Sequence, residues 1–284
     1  MTTFEGALGR LRYLLTLSRP RFWLYLAGPV VVGVAFGVDS TAGLFTPLTV
    51  GLFAYFLVPA NVFLYGVNDV FDADVDTENP KKERKEARWQ GDTVVAAVVV
   101  ASTLLGAAVF AATPTLAWPY LAGFFVLGVQ YSAPPLRFKT TPLLDSLSNG
   151  LYVLPGAAAY AAVAGAHPPL AALAGAWLWT MGMHTFSAIP DIEPDREAGI
   201  RTTATVLGER RTLAYCLACW LAAAVVFGLV DARIGLLLAA YPVVVFGIYL
   251  SDVDVDRAYW WYPALNTAVG TLLTLGALWR LVYV

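Results

Sequence analysis

Residues 46–76, TPLTVGLFAYFLVPANVFLYGVNDVFDADVD, pass without interruption from an apolar run into an acidic one. The stretch 46–68 carries no charged side chain. About 20 such residues cross a bilayer core as a helix, which satisfies every backbone N–H and C=O internally where water is absent. Runs of this kind recur along the chain. Of its 284 residues 58% are hydrophobic and 13% charged, against roughly 45–50% and about 25% in a soluble domain. The reading is an all-α, polytopic membrane protein. Its nine expected spans fall at about 22–38, 46–68, 93–112, 116–133, 143–164, 169–190, 212–230, 233–250 and 259–281. No linker between them is long enough to divide the bundle, so residues 1–284 read as a single domain.

The charges orient these spans. Sixteen of the eighteen Lys and Arg residues fall on one side: before the first span and in the loops after the second, fourth, sixth and eighth. Only Arg233 and Arg280 fall on the other. By the positive-inside rule the N-terminus and the long polar loops are cytoplasmic and the C-terminus is outside. The net charge of −2 and the absence of a continuous basic stripe give no sign of a nucleic-acid partner. The N-terminal segment has four arginines before the first long apolar run, so it lacks the h-region of a cleaved signal and reads as an amphipathic surface segment. Cys216 and Cys219, inside an apolar run, read as small packing residues rather than a redox or metal pair. Trp118, Tyr120, Tyr259, Trp260 and Trp261 fit an interfacial belt, and Gly33 and Gly37 permit close helix approach.

The second span runs out into NDVFDADVD, which spaces Asn68, Asp72 and Asp76 at i, i+4 and i+8, with Asp69 beside them. On a continuing helix the three share one face. Carboxylates so close repel unless something neutralises them, and a hard divalent cation is the natural partner. Mg²⁺ typically takes one or two protein carboxylates and completes its shell with water and phosphate oxygens. The alternative for the acidic run alone is a solvated loop, and that is the preferred reading for Asp252, Asp254 and Asp256, which lack the N-x-x-x-D-x-x-x-D spacing. The sixth span closes on the same face with IPDIEPDREAGIR, placing Asp191 and Asp195 four residues apart. Two such clusters, facing each other, would hold two Mg²⁺ ions and a diphosphate between them. Lys81, Lys82, Arg84, Lys85, Arg196 and Arg201 flank the clusters, and Arg19 and Arg21 enter from the N-terminal segment; each either touches phosphate or meets lipid head groups. A third loop, YSAPPLRFKTTP, adds Tyr131, Arg137 and Lys139. Pro134 and Pro135 stop the helix there and are expected to hold the next residues extended, aiming the basic side chains at the site.

These strings resemble the UbiA-type intramembrane prenyltransferase superfamily. NDVFDADVD matches its first motif and DIEPD its second, and YSAPPLRFK resembles its tyrosine- and lysine-bearing loop. The resemblance covers essentially the whole chain. It implies a nine-helix bundle around a central cavity, capped by polar cytoplasmic loops, and a Mg²⁺-dependent reaction in a hydrophobic chamber shared by donor tail and acceptor. It also implies that Asn68, Asp72, Asp76, Asp191 and Asp195 bind the metal–diphosphate. The flanking strings SRPRFWLYLAGP, NDVFDADVDTENPKK and HTFSAIPDIEPDREAGIRTTATVLG look like the carotenoid branch, the lycopene elongases, where the donor is dimethylallyl diphosphate and the acceptor lycopene.

The expected chemistry is ionisation of a prenyl diphosphate, its departing charge held by Mg²⁺ with Arg19, Lys82, Tyr131, Arg137, Lys139 and Arg201 around it. Attack by a lipophilic acceptor follows. His184, seven residues before Asp191, either lines the acceptor chamber, accepts a proton, or has a structural role; Asp145 and Asn149 pose the same choice at the start of the fifth span. Two rivals stand beside this reading. An ion-coupled transporter also binds cations on membrane helices, but usually near the midplane at broken helices, whereas these acids lie at helix ends. An aromatic or quinone-precursor prenyltransferase would share the donor site and differ in the acceptor chamber.

Overall fold

The computed structural model describes residues 2–72, 93–251 and 253–283. Asp76, Lys81, Lys82, Arg84, Lys85 and Asp252 therefore lie outside the described residues, as does the side chain of Asp72. The described residues are helical throughout and contain no strand: α1 (Thr2–Leu17), α2 (Trp23–Gly37), α3 (Pro47–Leu57), α4 (Pro59–Asp72), α5 (Thr93–Ala112), α6 (Trp118–Ser132), α7 (Leu144–Leu147), α8 (Leu154–Ala164), α9 (Leu170–Ser187), α10 (Ile192–Glu197), α11 (Thr203–Leu207), α12 (Glu209–Gly228), α13 (Ala232–Leu238), α14 (Ala240–Leu250) and α15 (Val255–Tyr283). By length and composition six helical stretches are able to cross a membrane: Leu8–Gly37, Pro47–Phe71, Thr93–Ala112, Glu209–Gly228, Ala232–Leu250 and Val255–Tyr283. Helices α6, α8 and α9 are shorter or more polar and complete the bundle between them.

Each expected span has a helical counterpart, and three of them are broken. The second divides at Val58, because Pro59 has no N–H to donate and restricts the residue before it. The buried Asn61 repairs the break by donating its amide to the carbonyls of Phe56 and Leu57, at 3.1 and 3.0 Å. The fifth begins as the single turn α7, tightens into a 3-10 segment at Ser148–Tyr152 and resumes as α8 with Pro155 in its first turn. The eighth divides at Ala239 into α13 and α14.

Two apolar clusters hold the helices. The first gathers α2, α3, α4, α6 and α8 around Phe56, Phe63 and Phe124, with ring centroids 5.3 Å (Phe56–Phe124) and 6.0 Å (Phe63–Phe124) apart. The second gathers α9, α12, α14 and α15 around Phe186, Trp220, Tyr241 and Tyr262, where the Trp220 and Tyr262 rings stack at 5.6 Å. Cys216 is buried in this second cluster and both cysteines are free thiols, as packing residues would be.

Helix α2 touches both clusters. Lipid tails are as apolar as leucine, so close van der Waals packing, rather than exclusion of water, drives helix association in a bilayer. Here it comes from glycine. A Cβ on Gly33 would overlap the Gly156 carbonyl, one on Gly156 would stand 2.6 Å from Pro29 O, and one on Gly37 would stand 2.6 Å from Val163 Cγ2. On its other flank α2 is fastened to α15 at both ends. Near the start, Arg21 donates to the carbonyls of Tyr259 and Trp260 (3.2 and 3.0 Å) and stacks on Trp260 at 3.7 Å. At the far end Arg280 donates to the carbonyls of Phe36 and Val38 (3.1 and 3.0 Å), which a helix C-terminus leaves without intrahelical partners.

Candidate active site

Helix α4 delivers the first acidic motif. Its last turns carry Asn68 and the buried Asp69, and it ends at Asp72. Asn68 Nδ2 donates to the hydroxyl of Ser132, the last residue of α6, at 2.8 Å. Asp69 accepts from Tyr13 of α1 at 3.3 Å. The amphipathic N-terminal helix is thereby tied to the motif as well as packed beside it through Leu17, Val62, Val95 and Val99.

The second motif follows the end of α9, where Pro190 tightens the chain into a 3-10 turn and α10 begins at Ile192. Asp191 and Asp195 are half-buried and one helical turn apart. Arg196 faces away from them. Its Nε and Nη2 donate to Thr205 O at 3.1 and 2.8 Å and its Nη1 pairs with Glu193 at 2.8 Å, so it folds α10 onto α11. Arg21, held by α15, is likewise committed to a structural contact.

Between the motifs lies the loop after α6. The helix ends at Ser132 before the two prolines, as expected, but the chain then turns back instead of running extended, Arg137 N donating to Ala133 O at 3.1 Å. Lys139 stands on a 3-10 turn, Phe138–Thr140. Burial pushes its ammonium down to about 8, while Asp195 and Asp69 pull the other way. One lysine is thus within electrostatic reach of both motifs, which brings the two acidic clusters to one end of the bundle. Arg137 and Arg19 both hold a left-handed backbone, φ 40° and 48°, a conformation that costs a non-glycine residue on the order of 1–3 kcal/mol. The Arg19 guanidinium lies 4.4 Å above the Tyr65 ring. Arg201 is exposed on the turn before α11.

Deeper on the same face, the Tyr131 hydroxyl meets His184 Nε2 at 3.2 Å, with the rings edge to face at 5.8 Å. Asp145, 1% exposed, receives the backbone N–H of Thr203 at 2.8 Å and a short bond from its hydroxyl. Asn149 donates to the Asp145 carbonyl at 2.6 Å. Both carboxylate oxygens of Asp145 are therefore engaged in fixing α7 to α11, beneath the second motif. Sequence reasoning missed Ser132, Thr203 and Tyr13. The first two lie inside the quoted motif strings, and nothing in the sequence marks Tyr13. Asp254 caps α15 by accepting from Asp256 N at 2.9 Å, in keeping with a solvated loop. A cleft of about 730 Å³ beside it, lined by Glu193, Glu209, Asp254 and Asp256, opens on the outer side of α10 and contains neither Asp191 nor Asp195.

With this arrangement in view, the UbiA prenyltransferase family model matches residues 26–259. The chain belongs to that family and is an all-helical, multi-pass membrane prenyltransferase. Within the family it falls in the carotenoid branch. A lycopene elongase/hydratase of Haloferax volcanii is 73% identical over 98% of this chain and 93% of that protein. Another, from Corynebacterium glutamicum, is 31% identical over 76% of each chain. Among solved structures, a UbiA homolog from Archaeoglobus fulgidus bound to DMAPP and Mg²⁺ superposes with a TM-score of 0.74 over 95% of this chain and 99% of that one, at 22% identity. That likeness speaks for the fold.

Proposed function

We propose that the protein transfers the dimethylallyl group of dimethylallyl diphosphate to a terminal alkene of lycopene, in a Mg²⁺-dependent reaction at the cytoplasmic end of the bundle. The observation that supports this reading is Lys139, which feels the charge of both Asp195 and Asp69, as a diphosphate bridging the two acidic motifs would require. The names of the curated relatives supply the acceptor, and the bias of basic residues supplies the orientation.

The residues fit the metal. Asn68, Asp72, Asp76, Asp191 and Asp195 are hard oxygen donors. Among the described residues no three His, Cys, Asp or Glu side chains converge into a cage, and Mg²⁺ usually relies on phosphate and water for most of its ligands. When bound, Mg²⁺ would neutralise charge developing on the departing diphosphate. Lys139, Arg137 and Arg19 would bind the same oxygens, and their charge, fixed in a site shielded from water, favours breaking the C1–O bond. The Tyr131 ring, held by His184, would face the allylic cation and stabilise it through its π-system. A lycopene double bond then attacks C1, a C–C bond forms, and the tertiary cation left on the acceptor ends by capturing water or losing a proton.

Membranes containing the protein, given labelled dimethylallyl diphosphate, Mg²⁺ and a panel of lycopene, hydroxybenzoate and a glyceryl phosphate lipid, should label lycopene. Labelling of another acceptor while lycopene stays unlabelled would overturn the acceptor assignment and favour the aromatic or lipid-precursor reading.

A further inference from the structure

The second apolar cluster contains polar atoms that the donor site does not use. The Tyr241 hydroxyl donates to Asn266 Oδ1 at 2.8 Å, and Asn266 Nδ2 reaches Met183 Sδ at 3.8 Å. From α2, Tyr25 packs against the same cluster. From α9 the Trp179 ring stands edge to face with Tyr241, centroids 5.6 Å apart. The Tyr262 ring lies 6.5 Å from that of Tyr241. Tyr25 Oη, Trp179 Nε1 and Tyr262 Oη are all buried and have no hydrogen-bond partner among the described residues.

A buried polar atom without a partner keeps its full desolvation cost. Three of them around one hydrogen-bonded Tyr–Asn pair, in a core otherwise built from Phe186, Trp220 and Val245, mark a place for a small polar molecule. Hydrocarbon cannot satisfy them. Water can, since a buried water typically makes about 3 hydrogen bonds to such groups. The depth is also suitable. Met183 lies eight residues before Asp191 and directly before His184, roughly two helical turns into the bundle from the second motif.

We propose that Tyr25, Trp179 and Tyr262, backed by Tyr241 and Asn266, hold the water that captures the tertiary cation after prenyl transfer. They thereby decide whether the product leaves as an alcohol or an alkene. This inference rests on the function proposed above. A lone pair of the water oxygen forms the C–O bond, and the proton that oxygen loses passes to the diphosphate released in the same turnover. Where the water is missing, a proton leaves the neighbouring carbon and a double bond forms.

The test is the product ratio, measured in membranes supplied with lycopene, labelled dimethylallyl diphosphate and Mg²⁺ in H₂¹⁸O. Wild-type product should carry an ¹⁸O hydroxyl. Tyr25→Phe, Tyr262→Phe and Asn266→Leu should lower the alcohol-to-alkene ratio about fivefold or more, the worth of roughly one hydrogen bond. Tyr120→Phe, whose hydroxyl contacts His167 in the loop between α8 and α9 at 2.9 Å, should leave the ratio unchanged. An unchanged ratio in all three variants, or an equal fall in both products, overturns the proposal and makes the cluster purely structural. A wild-type enzyme that labels lycopene but yields only alkene overturns it too. Failure to label lycopene at all is a different result, which removes the proposed function itself.

Discussion

The two acidic motifs occupy matching positions at one end of the bundle, yet they are built differently. The first rides on the last turns of α4, where Asn68 bonds Ser132 and Asp69 bonds Tyr13. The second sits where a helix has been stopped, turned by Pro190 and restarted. Its surroundings are tied in several directions, by Arg196 to Thr205 and Glu193 and by Asp145 to Thr203. One carboxylate set is placed by a helix and the other by a network. The same charge can be positioned by either means, but the two should fail differently.

The largest effects should not distinguish them. Asp72→Ala and Asp191→Ala should each reduce prenyl transfer by roughly 10²–10³-fold or more with the protein still inserted, measured as label incorporated per folded enzyme. Removing divalent ions with a chelator should abolish transfer from either side of the comparison, and adding back Mg²⁺ should restore it. A variant near wild type in activity would remove its motif from the metal site. The next effect should separate the two. Thr203→Val leaves one buried Asp145 oxygen without its hydroxyl partner and should lower stability by about 1–3 kcal/mol, read as thermal unfolding in detergent. Ser132→Ala, at the first motif, removes an acceptor for a half-buried amide and should change stability by less, about 1 kcal/mol.

The smallest effect is one of pH. The Lys139 ammonium is held down to about 8, mainly by burial, so the folded protein loses this charge as pH rises through 8, well before an unfolded lysine would at 10.5. Diphosphate prefers the charged form. The KM for donor should therefore climb above pH 8, by at most about tenfold per pH unit, and Lys139→Arg should flatten the climb because arginine keeps its proton. A KM independent of pH in the wild type would separate Lys139 from the donor.

How far the sequence reveals this molecule depends on how local each feature is. The span at 93–112 matches α5 at both ends, because an unbroken apolar run flanked by polar residues needs no partner to define it. The breaks at Val58 and Ala239 are hidden inside runs that read as continuous. Pro59 was a visible signal for the first, but its consequence depends on Asn61 repairing the freed carbonyls, which spacing does not show. In the site, the i, i+4 acidic pairs are local and legible. The ties that fix them are not, since Asn68 meets Ser132 across 64 residues and Asp145 meets Thr203 across 58. Arg21 and Arg196, which the sequence leaves open between phosphate and lipid head groups, are taken up by backbone carbonyls, a competition that basic composition alone cannot reveal.

Helix α2 is synthesised long before α15, and two of its fastenings come from α15, Tyr259 and Trp260 near one end and Arg280 at the other. Its glycine face can dock on α8 as soon as that helix has entered the bilayer, but its far terminus keeps open carbonyls until residue 280 arrives. This seam is therefore closed late, once α15 has been made and meets α2. A chain cut short by only a few residues would keep every group of the proposed donor site and still leave the seam between its two cores unfastened.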